Sequence, residues 1–429
     1  MRPHTDIVVI GGGLIGTSAA LELARRGHNV TVVEARPEPG QGSTAHSTAI
    51  IRQLYHEKHS MALAVEGLRF WESWPEPLGA VPAPHARFIQ AGVLWVFERH
   101  DLAHQPLDTL RALGADLEVL APEALADRFP HHRFDPPAGG ANRELAGVLE
   151  TKGGFVDDPA LAVRNLADAA RAAGVTFLLG DKVALAEHDD SAVAQDGSRR
   201  ITAVHTTSGR RLTAHAFLNA AGPHSDAVNR IAGAPLPLLT APNIQNFFDA
   251  REAALPWSTA GRTTFPVCAD PVAGLYFKPD PESFRVGAVL ASDDVYFSPD
   301  ADRHAPLADA EFLADKRARL ASRLPTAHLT NEQPGGAYYD VTVADWSPII
   351  DRTDVDGWFV CIGTSGKWFK AGPVLGWLTA ELMTHVFNGH DPDRADQRLI
   401  VTLPRTGNPL ALADFARWRV PHRTQGVLA

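Results

Sequence analysis

The stretch Ile7-Val8-Val9-Ile10-Gly11-Gly12-Gly13-Leu14-Ile15-Gly16 decides the fold of this chain of 429 residues. Its first four residues form a short apolar run that is typical of a buried strand. Gly11, Gly13 and Gly16 follow with the G-x-G-x-x-G spacing of a dinucleotide-binding turn. In such a turn the first glycine allows the bend, the second admits a pyrophosphate and the third lets the helix pack on the strand. The helix that follows offers free N–H groups to the phosphates.

The residues after this turn complete a strand–helix–strand unit. A helix is predicted from about Ile15 to Arg26, with Gly27 at its end. A second strand from Val30 ends in Glu34, which lies 23 residues after Gly11 and is placed to hold ribose hydroxyls. Strand, glycines, helix and acid agree, so a turn without a ligand is the weaker alternative.

Length and composition indicate a globular protein of two domains. A chain of 429 residues exceeds what one hydrophobic core usually serves, and no apolar run is long enough to span a bilayer. The net charge of −10 gives no support to nucleic-acid binding. Two cysteines, Cys268 and Cys361, are too few for a disulfide framework, so we expect a cytoplasmic protein. The first predicted strand begins close to the start of the sequence, so we expect no signal peptide. No metal site is predicted.

A second glycine turn lies late in the chain. Trp358 to Ile362 is predicted as a core strand, Gly363 to Gly366 as a turn, and a helix runs from about Pro373 to Val386. This repeats the design of the first motif and indicates a ligand that is approached from two sides.

These patterns predict an α/β fold in which a Rossmann-like nucleotide-binding domain is assembled from discontinuous segments. We assign residues 1–85, 150–234 and 336–429 to that domain. Residues 86–149 and 235–335 contain many prolines and short β-like runs, and they are assigned to an α+β substrate domain with a mixed or antiparallel sheet.

The motifs, in their order and spacing, resemble the D-amino-acid oxidase superfamily of flavoenzymes, and especially monomeric sarcosine oxidase and glycine oxidase. The resemblance spans nearly the whole chain and implies FAD rather than NAD. The motifs that carry it are the Gly11–Glu34 unit, Gly42 to Arg52, Gly154-Phe155-Val156-Asp157, Asn219-Ala220-Ala221-Gly222, Pro348-Ile349-Ile350-Asp351 and Gly363 to Lys370.

This resemblance implies a set of FAD-binding residues. In the family the Gly-Ser stretch wraps the flavin, and Val183 matches a residue whose backbone contacts adenine. The Gly363–Gly366 turn is expected to aim its N–H groups at the flavin N1–C2=O edge, where negative charge gathers on reduction. Tyr338 stands where sarcosine oxidase has its flavin-linking cysteine, so noncovalent FAD is expected. The full set is Gly11, Gly13, Leu14, Ile15, Gly16, Glu34, Ala35, Arg36, Ser43, Thr44, Ser47, Thr48, Val183, Ala221, Gly222, Gly363, Ser365, Gly366, Lys367 and Lys370.

The resemblance also implies that Arg52 and Lys370 bind the carboxylate of a substrate. An arginine offers a planar fork suited to a carboxylate. A lysine near a helix N-terminus is electrostatically unfavourable unless an anion compensates it. The alternatives are a pyrophosphate contact or a surface ion pair for Arg52, and a solvated side chain for Lys370.

Four further residues mark where the chain follows or departs from the family. Trp368 is expected to reshape the pocket, with a place in the packed core as the alternative. Arg285 stands where sarcosine oxidase has a lysine that promotes reaction with oxygen, and an arginine keeps the charge without relaying a proton at neutral pH. Tyr276 matches an active-site tyrosine, with a core aromatic as the alternative. His46, in the flavin-wrapping loop, is expected to make a structural hydrogen bond.

Together these residues predict an FAD-dependent oxidoreductase that oxidises the C–N bond of a small carboxylated amine. A hydride passes to flavin N5, the imine hydrolyses, and oxygen or another acceptor takes the electrons. The alternatives are a dehydrogenase with a non-oxygen acceptor, a tailoring enzyme for a larger amino-acid-derived metabolite, and a non-catalytic flavin-binding subunit. We expect a monomer or homodimer.

Overall fold

The computed structural model describes residues 5–135, 144–189, 199–238, 240–252, 258–259, 262–263, 265–279, 284–290, 309–327 and 329–421. The strands in chain order are β1 (Ile7–Ile10), β2 (Val30–Glu34), β3 (Ile50–Ile51), β4 (Phe88–Ile89), β5 (Val93–Glu98), β6 (Leu117–Leu120), β7 (Leu145–Glu150), β8 (Gly154–Val156), β9 (Thr176–Leu179), β10 (Val183–Asp189), β11 (Arg200–Thr206), β12 (Arg211–Thr213), β13 (Ala216–Asn219), β14 (Thr240–Glu252), β15 (Ser258–Thr259), β16 (Arg262–Thr263), β17 (Val267–Asp270), β18 (Leu275–Pro279), β19 (Phe284–Ala288), β20 (Leu329–Thr342), β21 (Ile349–Arg352), β22 (Trp358–Ile362), β23 (Ile400–Thr402) and β24 (Pro409–Ala411). The helices are α1 (Leu14–Arg25), α2 (Lys58–Glu72), α3 (Arg99–Leu102), α4 (Leu107–Ala112), α5 (Pro122–Arg128), α6 (Pro159–Ala172), α7 (Ser225–Ile231), α8 (Ala310–Arg323) and α9 (Gly372–Phe387).

A six-stranded sheet carries the N-terminal glycine turn, in the order β21-β22-β13-β1-β2-β9. All its pairs are parallel except the edge pair β21–β22. Its central strand β1 is buried throughout, as expected for a parallel strand covered on both faces. The sheet draws its strands from separated segments of the chain, and the predicted α/β fold with a Rossmann-like sheet is confirmed.

Helices α1 and α9 cross closely on this sheet. A Cβ at Gly376 of α9 would lie 2.6 Å from the Ala19 nitrogen of α1, and a Cβ at Gly372 would lie 2.4 Å from Leu14 Cδ2. The N-termini of the two helices are therefore neighbours. Both helices begin one residue earlier than predicted, which is within the usual uncertainty of helix ends.

An eight-stranded sheet has the order β20-β14-β19-β18-β17-β5-β7-β6. The β5–β17 pair is parallel and the other pairs are antiparallel, so the sheet is mixed, as predicted. Its last strand in the chain, β20, extends to Thr342, and Val341 forms a bridge to Thr364 of the late glycine turn. The assignment of residues 86–149 and 235–335 to one domain stays a prediction.

A small three-stranded sheet has the order β3-β8-β4. Ile51 of β3 pairs with Gly154 of β8, so Arg52 follows directly from a paired strand. The shorter sheets are β10-β11-β12, β15-β16 and β23-β24. No helix in the described part of the chain is both long and apolar enough to cross a bilayer.

Candidate active site

The glycine turn after β1 requires glycine at two positions. Gly11 has a φ of +109°, and a Cβ there would lie 2.3 Å from the Ala220 carbonyl oxygen. A Cβ at Gly16 would lie 2.0 Å from the Gly11 oxygen. The turn therefore packs tightly against the end of β13, which brings Ala221 and Gly222 beside it.

The start of α1 leaves backbone donors available to a phosphate. The Gly12 N–H donates to Glu34 Oε2 at 2.6 Å, and the Leu14 N–H donates to Thr44 Oγ1 at 3.4 Å. The N–H groups of Gly13, Ile15 and Gly16 have no hydrogen-bond partner within the described part of the chain. Such unpaired groups at a helix N-terminus suit an anion.

The far end of β2 brings together the residues expected near ribose and adenine. Glu34 Oε1 accepts a hydrogen bond from the Arg36 N–H at 2.7 Å, and the Glu34 backbone carbonyl accepts one from the Asp181 N–H at 3.0 Å. Ala35 and Arg36 are exposed. Val183, at the start of β10, is buried in the same apolar cluster as Val33.

A cavity opens between the eight-stranded sheet, the segment around β3 and the segment before α9, and much of the predicted site lines it. Arg52, Tyr276 and Lys370 face this cavity. They are joined there by four other residues of the expected set, Ser47, Thr48, Gly366 and Lys367. The remaining wall is mainly apolar and consists of Ile50, Val93, Val267, Cys268, Ala269 and Phe369.

Arg52 is buried rather than at the surface. Its Nη1 donates to the Leu54 carbonyl at 2.6 Å. Its guanidinium carbon lies 4.0 Å from the centroid of the Tyr55 ring and 5.1 Å from that of Trp95. With the side chain 6% exposed, the alternative of a surface ion pair is wrong.

Lys370 is buried beside it, so the alternative of a solvated side chain is also wrong. Its Nζ donates to the Tyr55 hydroxyl at 2.9 Å and to the Lys367 carbonyl. Burial, and then the charge of Arg52, lowers the pKa of Lys370 well below its ordinary range. An anion in the cavity would favour its charged form.

Trp368 does not line the cavity. It is buried in the main core and stacks on Tyr55 with ring centroids 5.2 Å apart and planes 13° apart. The expectation that it reshapes the pocket directly is corrected, because its ring packs on Tyr55 in the core and is not among the residues that line the cavity. Its indole nitrogen has no hydrogen-bond partner among the described residues.

Glu150, at the end of β7, is a fully buried carboxylate beside the cavity. It accepts hydrogen bonds from the Gln53 N–H at 2.6 Å, the Leu54 N–H at 2.9 Å and Trp95 Nε1 at 2.7 Å. Burial raises the pKa of Glu150, while these donors and the charge of Arg52 oppose that rise. The Gln53 side-chain amide adds a fourth donor at 3.4 Å, and an acceptor facing four N–H groups has the surroundings of an ionised carboxylate.

The late glycine turn is held by Asp340 of β20. The Asp340 carboxylate accepts hydrogen bonds from the Gly363 N–H and from the Thr364 hydroxyl at 3.0 Å, and its backbone carbonyl accepts one from Ser365 at 2.6 Å. The N–H groups of Gly363 and Ser365 are therefore taken up by Asp340, and the expectation that the turn aims N–H groups at the flavin stays a prediction for the rest of the turn. Gly366 lines the cavity, and its N–H has no partner within the described ranges.

Arg285 forms a two-pronged ion pair with Asp249 of the neighbouring strand, at 2.7 Å from Nε and 2.8 Å from Nη2. Its Nη1 reaches the carbonyl groups of His46 and Ser47 at 3.4 and 3.5 Å. Arg285 is not among the residues that line the cavity. Its positive charge is thus largely offset by Asp249, which sequence reasoning did not foresee.

Tyr276 is buried, and Gly287 makes room for its ring. The two residues are partners across β18 and β19, and a Cβ at Gly287 would lie 2.3 Å from the Tyr276 ring. The tyrosine therefore lies over the neighbouring strand while one side faces the cavity.

A family model described as "FAD dependent oxidoreductase" matches residues 6–382. The chain belongs to the DAO family of FAD-dependent oxidoreductases. The predictions of an oxidoreductase and of FAD as its cofactor are confirmed. This DAO-family chain is 26% identical over 397 residues to the sarcosine oxidase subunit beta of Rhizobium meliloti (strain 1021). The aligned region covers 89% of this chain and 85% of that subunit.

Two solved structures share the fold of this DAO-family protein. L-proline dehydrogenase from P. horikoshii superposes with a TM-score of 0.73 at 22% identity, over 90% of this chain and 94% of that chain. Glycine oxidase from Geobacillus kaustophilus has a TM-score of 0.69 at 19% identity, over 89% of this chain and 95% of that chain.

The residues present fit FAD in this DAO-family site. The unpaired N–H groups at the start of α1 suit the pyrophosphate, and Ser43 Oγ is buried in the adjoining loop without a partner among the described residues. Cys361 lies within buried β22, where burial raises its pKa to about 12. Noncovalent attachment stays a prediction.

Sequence reasoning missed Tyr55, Glu150 and Asp340. Tyr55 follows Arg52 by three positions without a motif of its own. Glu150 and Asp340 come from strands that are distant in sequence from the segments they hold. The one available signal was an acid at the end of an apolar strand, Leu145 to Glu150.

Proposed function

We propose that this DAO-family enzyme oxidises the C–N bond of a small carboxylated amine, either an amino acid or an N-methyl amino acid. The observation that carries the proposal is that Arg52 and Lys370 lie at one cavity, where they are two of three buried basic side chains among the described residues that line it, the third being Lys367. No acid lines that cavity among the described residues. Two buried cations in a medium of low dielectric constant are stabilised by a bound anion.

A carboxylate can pair with both side chains. The Arg52 guanidinium provides a planar fork, held against the faces of two aromatic rings. Lys370 provides a compact ammonium whose charged form is disfavoured in the empty site. The substrate carboxylate is therefore bound by a fork and a point charge. In return, it gives Lys370 a counter-ion that offsets the loss of hydration on burial.

FAD supplies the hydride acceptor when it is bound. The protein's own residues orient the substrate: Arg52 and Lys370 hold its carboxylate, and Tyr276 lies against the same cavity. The amine must be neutral, so that its lone pair assists as the C–H bond breaks. The Gly366 N–H is the donor of the late turn that is available to a group developing negative charge.

The rest of the wall favours a small, uncharged substituent on the substrate. Val93 and Val267 are register partners on the parallel pair β5–β17, and both line the cavity. Cys268 and Ala269 continue that wall. A charged side chain placed there would lose its water without a partner.

One observation favours a second candidate, a dehydrogenase that passes electrons to a quinone or another flavoprotein. Arg285 stands where sarcosine oxidase has a lysine that promotes reaction with oxygen, and it is paired with Asp249. A paired cation attracts a developing negative charge less strongly than an isolated one.

Anaerobic reduction of the FAD-loaded enzyme tests the proposal. Sarcosine, glycine, L-proline and the D- and L-amino acids are each added while flavin absorbance is followed. We expect at least one carboxylated amine to bleach the flavin, and Arg52→Ala and Lys370→Met to abolish bleaching at matched concentrations. Lys316→Met is the matched control, since Lys316 is also fully buried but lies on α8 and does not line the cavity. If no carboxylated amine reduces a fully loaded flavin, the proposal is overturned. Admitting air to the reduced enzyme separates oxidase from dehydrogenase.

A further inference from the structure

We infer that Glu150 is a positioning residue of the carboxylate site, holding Arg52 in place through two of the groups that contact its guanidinium. This inference rests on the proposed function, because it assigns a role in binding the substrate carboxylate. Glu150 itself does not line the cavity.

The first of those two groups is the Leu54 carbonyl, which accepts a hydrogen bond from Arg52 Nη1 at 2.6 Å. The N–H of the same residue donates to Glu150 Oε1 at 2.9 Å. The neighbouring Gln53 N–H donates to Glu150 Oε2 at 2.6 Å. The carboxylate thus fixes the backbone that receives the guanidinium.

The second group is the Trp95 ring, which lies 5.1 Å from the guanidinium carbon. Its indole Nε1 donates to Glu150 Oε1 at 2.7 Å. Two of the groups that contact Arg52 are therefore hydrogen-bonded to one carboxylate, which reaches Trp95 across the β5–β7 pair and Leu54 in the segment after β3. Glu150 ties the segment after β3 to the eight-stranded sheet at the point where the cavity opens.

A purely electrostatic role would have the opposite effect on ligand affinity. A negative charge beside the cavity repels a substrate carboxylate, so neutralising it would tighten binding. A positioning role predicts weaker binding, because four N–H donors, among them the Gln53 side-chain amide at 3.4 Å, face the two oxygens and an amide offers only one acceptor. The amide NH₂ of a glutamine would then oppose a backbone or indole N–H.

Glu66 provides a matched control within the same chain. It is also a fully buried carboxylate that captures two backbone N–H groups, those of Arg405 and Thr406, each at 2.9 Å. It lies on α2 and does not line the cavity. Glu66→Gln removes the same kind of bond and leaves the surroundings of Arg52 unchanged.

The test uses FAD-loaded enzyme and acetate as the carboxylate probe. Binding is read from the change in flavin absorbance, stability from the melting temperature, and turnover from KM and the limiting rate of anaerobic reduction. We expect Glu150→Gln to raise the acetate Kd by about tenfold or more, in line with loss of one hydrogen bond to a charged group. KM should rise more than the limiting rate falls. Glu66→Gln should lower the melting temperature, and its acetate Kd should equal that of the wild-type enzyme.

Glu150→Asp separates geometry from charge, because it keeps the negative charge on a side chain one methylene shorter. We expect it to weaken acetate binding as well. Wild-type or tighter binding in Glu150→Gln, wild-type binding in Glu150→Asp, or an equal loss in Glu66→Gln would each overturn the role of Glu150. If the wild-type enzyme binds no acetate and no carboxylated amine reduces it, the proposed function fails, and this role fails with it.

Discussion

The Nζ of Lys370 donates a hydrogen bond of 2.9 Å to the hydroxyl of Tyr55, inside a cluster closed to solvent. The ring of the same tyrosine faces the guanidinium of Arg52 and also stacks against Trp368. It therefore joins the segment after β3 to the segment before α9. Both cations of the proposed carboxylate site depend on this one side chain.

Tyr55→Phe tests that dependence directly. The change removes one of the acceptors of Lys370 Nζ, leaves the Lys367 carbonyl as another, and keeps the ring that faces Arg52. We expect the acetate Kd to rise by about tenfold, because one hydrogen bond to a charged group is lost. Tyr55→Leu removes the ring as well and should weaken binding further and lower the melting temperature. Equal affinity in Tyr55→Phe and wild type, measured by flavin absorbance, would show that Lys370 does not rely on Tyr55.

Acetate affinity should fall as pH rises through the depressed pKa of Lys370. Burial lowers that pKa in the empty site, and a bound carboxylate raises it again, so binding takes up a proton. Between the two pKa values the acetate Kd should increase about tenfold for each pH unit, as one-proton linkage requires. Lys370→Met should show weak binding with a flat pH profile. The same steep profile in that variant would assign the proton to another group.

Gly16→Ala should sharply reduce FAD loading. A Cβ at Gly16 would lie 2.0 Å from the Gly11 oxygen, so the turn after β1 must move. We expect the FAD dissociation constant to rise by more than about tenfold, measured by flavin fluorescence, since a displaced backbone loses phosphate contacts. Gly147→Ala is the control, because a Cβ there would lie 2.8 Å from Leu125 Cδ1 in the eight-stranded sheet and outside the expected FAD-binding set. Normal FAD binding by Gly16→Ala would contradict the assignment of the turn.

Asp340→Asn should loosen the late glycine turn. An amide would place its NH₂ against the Gly363 N–H or the Thr364 hydroxyl, which now donate to the carboxylate. We expect a loss of stability of about 1–3 kcal/mol and weaker FAD binding. Thr364→Val removes only the hydroxyl donor and should cost less. Unchanged melting temperature in Asp340→Asn would show that the turn holds its shape without this carboxylate.

Asp249→Asn tests the proposed link between Arg285 and oxygen. The change keeps the size of the side chain and leaves Arg285 without its carboxylate partner. Because an uncompensated positive charge stabilises superoxide, we expect reoxidation of the reduced enzyme by air to speed up by roughly tenfold. Arg285→Gln should slow it or leave it unchanged. Faster reoxidation in both variants would mean that the charge of Arg285 is not the cause.

The parts of the fold that depend on neighbouring residues could be predicted from the sequence. The glycine turn is one example, since Gly11 and Gly16 are required by contacts within one strand–helix unit and its neighbouring strand. Arg52 and Lys370 were found because each ends a short motif. Their burial and their common cavity required the tertiary structure.

The parts that depend on distant contacts could not be predicted. Glu150 is 97 residues from Gln53, and no local pattern links them. The late turn was recognised, but Asp340 takes up N–H groups that had been expected to face the flavin. The direction of the Trp368 ring is set by its stack on Tyr55. The domain limits, the cytoplasmic location and the oligomeric state stay predictions.

The close crossing of α1 and α9 has a consequence for the order of events during synthesis. Gly372 and Gly376 of α9 pack on Leu14, Ser18 and Ala19 of α1, although most of the chain separates them in sequence. A nascent chain on the ribosome that lacks α9 carries the whole G-x-G-x-x-G motif but exposes the face of α1 on which α9 packs. Stable cofactor capture is therefore expected only after α9 has been synthesised, and until then the face of α1 on which α9 packs stays uncovered.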